Sequence, residues 1–107
     1  MAARKKRAPK LFVVKILGKD DVRPYSVKMQ HQDRVCWVNP TGEVFRIKFL
    51  TKSPLTRVVG RVRALSPSIS YRLSPKAVKD KHYGYTVRTR AMRGLGGPGG
   101  PEIVPDD

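Results

Sequence analysis

Apolar and polar residues alternate along this chain in short bursts. In Val44–Leu50 (VFRIKFL), Val44, Arg46 and Lys48 face one way, and Phe45, Ile47 and Phe49 face the other. That period of two marks a half-buried strand. Leu11–Leu17 (LFVVKIL) is a second strand, ended by Gly18-Lys19-Asp20-Asp21. Tyr25–Gln30 (YSVKMQ) and Arg34–Asn39 (RVCWVN) follow. Asn39-Pro40-Thr41-Gly42 is a turn, because Pro fixes φ at the second turn position and Gly accepts positive φ. Arg57–Leu65 (RVVGRVRAL) reads as a further strand, with Gly60 as a bulge or close-approach site and with Arg57, Val59, Arg61 and Arg63 on one face. Ser68–Leu73 and Tyr83–Arg90 complete the strands, and residues 74–82 form a connection with room for one helical turn. No stretch sustains a 3.6-residue apolar period, so long helices are not expected. Several short strands at regular spacing predict an all-β sandwich or barrel.

Three units follow from the pattern: a basic arm over residues 1–10, a β-sandwich domain over 11–93, and a tail over 94–107. The arm holds five basic residues and no acid, and it is expected to be disordered. Gly94–Gly100 (GLGGPGG) is a flexible linker by composition. The closing Pro101–Asp107 segment carries three of the eight acids, and its Ile103 and Val104 are expected to dock on the body as a short edge strand. A chain of 107 residues makes one domain, large enough for a core without disulfides or a structural metal.

Charge changes the picture from fold to function. The chain has 23 Lys and Arg against 8 Asp and Glu, a net charge of +15. Such a field attracts anions and speeds their association. Between Glu43 and Asp80 there is no acid, and nine basic residues lie in the interval. If Arg46 and Lys48 share a sheet face with Arg57, Arg61 and Arg63, they form a basic patch roughly 20 Å long, at ~3.3 Å rise per strand residue. Guanidinium groups grip phosphates bidentately. Arg88, Arg90 and Arg93 form a second group beside Thr89, and Arg93-Gly-Leu-Gly-Gly97 resembles an RGG-type RNA-binding segment. Arg4, Lys5, Lys6 and Arg7 of the arm are candidates to follow a phosphate backbone. The competing reading is a solvated outer face with a solubilising tail; its weakness is the single sign of the charge.

Among the aromatics, Tyr25, Tyr71, Tyr83, Tyr85 and Trp37 are candidates for base stacking, but alternation assigns Trp37, Phe45 and Phe49 to the core, and Tyr83 and Tyr85 are expected in the core or at its rim. His31, Cys36 and His82 match no common zinc spacing, so no metal or other cofactor is expected. The acids Asp33, Glu43 and Asp80 are isolated in turns, and no G-x-S-x-G, P-loop or G-x-G-x-x-G motif occurs. A binding protein is expected, not an enzyme. The single Cys36 fits a reducing compartment. Leu11–Leu17 is short and broken by Lys15, so neither a secretory signal nor a membrane span is expected. The location expected is cytoplasmic, in association with a nucleoid or a ribonucleoprotein.

The strand order and its anchors resemble the cupredoxin family, a Greek-key sandwich. Val27–Asn39 (VKMQHQDRVCWVN) resembles that family's strand, Asp-containing turn and V-x-W-x-N segment. Tyr83-Gly-Tyr85-Thr-Val87 resembles its Y-x-Y-x-C strand, and Pro101–Asp106 (PEIVPD) resembles the terminal strand of small members. The resemblance implies fold only. Blue copper needs a His₂Cys set with a weak axial ligand. Here the first His would fall near Phe45 or Arg46, the Cys at Val87, the second His at Arg90 and the Met at Arg93, with Met92 one residue off. Arginine does not bind a cation.

The reading is therefore a cupredoxin-like all-β domain that holds DNA or RNA through its phosphates with low sequence specificity. A second reading is an assembly or adaptor protein that meets copies of itself or other proteins through strand edges and tails. A third is a degenerate metal-binding domain.

Overall fold

A computed structural model describes residues 7–92 and 100–107. Eight strands form: β1 (Leu11–Gly18), β2 (Asp21–Arg23), β3 (Ser26–Met29), β4 (Arg34–Val38), β5 (Phe45–Phe49), β6 (Arg61–Val62), β7 (Tyr83–Arg88) and β8 (Glu102–Pro105). A single 3₁₀ turn, Arg90–Met92, is the only helical element among the described residues. The strands make two mixed sheets, ordered β2-β1-β4 and β3-β8-β7-β5-β6, an all-β arrangement compatible with a sandwich. The Arg23–Pro24 peptide bond between β2 and β3 is cis.

Alternation sends one side of each strand into a shared core. Val14, Ile16, Val22, Val35 and Trp37 from the first sheet meet Val27, Met29, Phe45, Ile47, Tyr85, Val87 and Ile103 from the second. Trp37 is the centre. Its ring sits edge-on to Tyr71 at 5.9 Å and to Tyr85 at 5.7 Å, favoured geometries for aromatic quadrupoles. Its indole N–H donates to the Tyr85 hydroxyl at 3.3 Å. Burial pushes the Tyr85 phenol well above its ordinary value, so it stays a neutral hydrogen-bonding group.

Two aspartates tie the structure together. Asp20 sits in the β1–β2 turn at φ 51°, a left-handed conformation that Asp tolerates. Its N–H donates to the Val87 carbonyl at 2.8 Å, and its Oδ1 accepts from the Val87 N–H at 2.7 Å. The turn of one sheet thus caps the stretch of β7 that β8 does not reach. Asp33 is fully buried and accepts from the Lys10 N–H at 2.9 Å, from the Gln30 N–H at 2.8 Å and from both terminal nitrogens of Arg7. The Arg7 guanidinium holds the Asp33 carboxyl down at about 2. The basic start of the chain is therefore fastened to the body from Arg7 on, where the sequence pattern predicts a disordered arm over residues 1–10. Residues 1–6 lie outside the described residues.

Three strands differ from expectation. Residues 57–65 contain only the two-residue β6, because β6 meets β5 at Phe45 and Arg46 and the Ile47 N–H then turns to the Gly60 carbonyl. Gly60 has open space where a Cβ would stand, so it is not a close-approach site. Ser68–Leu73 is no strand; it touches β4 through the bridge from Val35 to Tyr71 and the β5–β6 connection through Leu55 to Leu73, while Pro67 before it bridges to Val38. The terminal strand forms at Glu102–Pro105, but it is no edge: β8 lies between β3 and β7.

Candidate nucleic-acid interface

Outward-facing residues of the five-stranded sheet place the arginines. Arg46 of β5 stands opposite Arg61 of β6 on one side and Arg88 of β7 on the other. Residues directly opposite in antiparallel strands point to the same face, with Cα atoms ~4.5–5.5 Å apart. Arg61, Arg46 and Arg88 therefore form one row across three strands. Lys48, paired with Thr86, adds the next position along β5 on the same face. Phe45 and Ile47, between these cations in sequence, are buried. The same alternation that fills the core displays the charge.

Beyond the end of β7, Arg90 opens the 3₁₀ turn and bends back to the row. Val44, Arg46, Arg61 and Arg90 line a recess of about 190 Å³. Arg88 is turned the other way in charge: its guanidinium pairs with Asp20 at 3.2 Å and is mostly shielded. It supports the sheet rather than extending the open cationic set.

The other expected contacts scatter. Arg57 lies in the β5–β6 connection, where its charge acts on the Tyr71 phenol. Residues 57–61 do not form one outward strand face, because Val59, two residues on from Arg57 and two before Arg61, is buried while both arginines are exposed. Arg63 is exposed just after β6. Arg7 is occupied by Asp33. Arg4, Lys5, Lys6 and Arg93 lie outside the described residues.

A second basic recess escaped the sequence reading. Lys10, Arg34 and Arg72 line a hollow of about 280 Å³ together with Pro9, Leu11 and Gln32. Leu11 pairs with Arg34 at the start of β1 and β4, and the bridge from Val35 to Tyr71 brings Arg72 alongside. The Arg34 N–H also donates to the Lys10 carbonyl at 2.9 Å, and only the isolated bridge adds Arg72, which no sequence period announces.

Acids gather at the opposite edge of the large sheet. Glu102 accepts from Ser26 at 2.9 Å and pairs with His82 at 2.9 Å, Asp107 pairs with His31 at 2.7 Å, and Asp106 approaches Lys28 at 3.7 Å. The hydrogen bond from His82 holds the Glu102 carboxyl below its ordinary value. His31 also reaches the Ser74 carbonyl with its other nitrogen, at 3.1 Å.

Of the residues at the cupredoxin ligand positions, Phe45 and Val87 are buried core and Arg46 and Arg90 line the recess. Among the described residues, no group of three or more His, Cys, Asp or Glu is placed to hold a metal ion. Cys36 is buried, and burial pushes its thiol up. Of the candidate stacking residues, Tyr71, Tyr83 and Tyr85 are buried and Tyr25 is half exposed. No helix among the described residues is long and apolar enough to cross a membrane. No protein-family model matches the chain, and no curated protein is significantly similar to it.

Proposed function

We propose that the outer face of the β5–β6–β7 region binds the phosphate backbone of a nucleic acid with low sequence specificity. The observation that carries this reading is the register pair of Arg61 and Arg46 with Lys48 beside it, at the edge of the sheet away from Glu102, Asp106 and Asp107. Cations directly opposite one another on a sheet destabilise the fold by mutual repulsion. A bound polyanion relieves that repulsion. In this reading the chain is a cytoplasmic, cupredoxin-like Greek-key binding module of a nucleoid or ribonucleoprotein, not an enzyme. Arg63, exposed just after β6, enlarges the contact from its flank.

The test is binding to a labelled DNA duplex and a matched RNA across a salt series. The expected result is log K falling with log[salt] at a slope of several phosphate contacts, about 0.9 per contact for duplex DNA. Absence of binding at low salt overturns the reading.

One observation favours the adaptor reading instead. The outer face of the three-stranded sheet is apolar at Leu11, Val13 and Leu17, which are 57%, 47% and 39% exposed. Exposed apolar patches mark protein contacts.

A further inference from the structure

The recess between β5, β6 and the 3₁₀ turn is more than part of a charged surface. Arg46, Arg61 and Arg90 enter it from three separate elements, with Val44 as its apolar wall. All eight acids of the chain lie among the described residues, and none of them pairs with these three arginines. Asp20 neutralises the fourth arginine of the neighbourhood, Arg88. A volume of about 190 Å³ exceeds several times the ~30 Å³ share of one water. Three arginines that no acid pairs with, lining one small recess, concentrate positive charge at a single place on the surface.

The charge of the ligand follows from the charge of the site. An internal phosphodiester brings one negative charge and two free oxygens. A terminal phosphomonoester brings about −1.5 to −2 and three strong acceptor oxygens at neutral pH. Three planar donors match three oxygens, and each guanidinium makes charge-assisted, bidentate contacts to such a group. A chain end also enters a walled recess without bending the strand behind it. We propose that this recess holds the terminal phosphate of a nucleic-acid strand, with Arg46, Arg61 and Arg90 as its ligands. The proposal rests on the nucleic-acid reading of the same face and adds an end preference to it.

The test compares one short oligonucleotide sequence carrying a 5′-phosphate, a 3′-phosphate or hydroxyl ends, made as RNA and as DNA. Affinities of the three ends are compared at physiological salt, and the hydroxyl-ended strand is also titrated across a salt series. One phosphorylated end is expected to bind at least about tenfold more tightly than the hydroxyl-ended strand, the effect of a single charge-assisted contact. Inorganic phosphate is expected to erase that increment and leave hydroxyl-ended binding nearly unchanged. Arg61→Gln is expected to remove the increment, and Arg46→Gln does the same should Arg61→Gln melt early. Lys15→Gln, on the other sheet, retains it.

Equal binding of all ends overturns the terminal-phosphate site while the surface reading stands. Binding of phosphorylated ends alone, with no salt-dependent binding of hydroxyl-ended strands, upholds the recess and removes the wider surface. Retention of the increment in both arginine variants overturns the assignment of residues. A mononucleoside monophosphate that binds as tightly as the phosphorylated strand assigns the recess to free nucleotides and overturns the strand-end proposal.

Discussion

The two sheets share one core but turn opposite characters outward. On the large sheet, positions alternating with Phe45 and Ile47 are Arg46 and Lys48, and their cross-strand neighbours are Arg61 and Arg88. On the small sheet, positions alternating with Val14 and Ile16 are Val13, Lys15 and Leu17, and Val13 pairs with Cys36 while Lys15 pairs with Val38 and Arg23. An arginine row resists a second copy of itself and attracts phosphate. An apolar face with scattered cations does neither strongly, and it gains by being covered. Identical backbone periodicity thus yields two surfaces for two kinds of contact. The choice lies wholly in the residues that the core does not need.

The largest effect is expected from the support common to both faces. Trp37→Ala leaves a cavity beneath both sheets and should cost about 3–5 kcal/mol in chemical unfolding. Loss of nucleic-acid binding in that variant with stability unchanged would mean that Trp37 acts in the contact and not in the core. Next comes the basic face itself. Arg46→Gln with Arg61→Gln should weaken oligonucleotide binding at least ~10-fold and lower the duplex salt slope by about 2, with the melting temperature unchanged or raised. The matched pair Lys15→Gln with Arg23→Gln on the small sheet should lower the affinity only slightly. Equal losses from both pairs would erase the distinction between the faces.

Acid should act through Asp33. Its carboxyl is held at about 2, below its ordinary 3.8, by the Arg7 guanidinium. Its stabilisation is therefore complete above the ordinary carboxylate range and is lost as pH falls from about 4 towards 2. Asp33→Asn should flatten that part of the pH–stability curve, and it should free the chain start to limited proteolysis near Arg7. Persistent acid sensitivity in the variant would move the effect elsewhere. Asp33→Ala strands the Lys10 and Gln30 N–H groups and should cost about 2 kcal/mol. The smallest effect belongs to the apolar face. Val13→Thr should change stability by no more than ~0.5 kcal/mol and leave nucleic-acid binding intact. A much larger cost, measured by denaturant titration, would show that the face is already covered in solution.

Local chemistry alone made much of this molecule legible. The strands at Leu11–Gly18, Arg34–Val38, Phe45–Phe49 and Tyr83–Arg88 were all visible as short apolar or aromatic runs between turn residues, as were the core positions of Trp37 and Phe45 and the outward aim of Arg46 and Lys48. A period of two needs only a strand and a core to acquire meaning. Residues 57–65 misled for the same reason: Val58, at 88% exposure, and Leu65, at 80%, carry strand-like chemistry with no neighbour to pair with. Pairing is a property of two segments distant in the chain. So it was the tertiary structure that set Arg61 beside Arg46 and drew Arg90 into the recess. It also separated Arg57 from both, gave Arg7 to Asp33, and moved the last strand from an expected edge to a place between β3 and β7. The inward positions of the alternating strand Phe45–Phe49 and the excess of positive charge were legible from the chain alone, because alternation and composition are local. Where that charge converges depended on register, which only the folded sheet possesses.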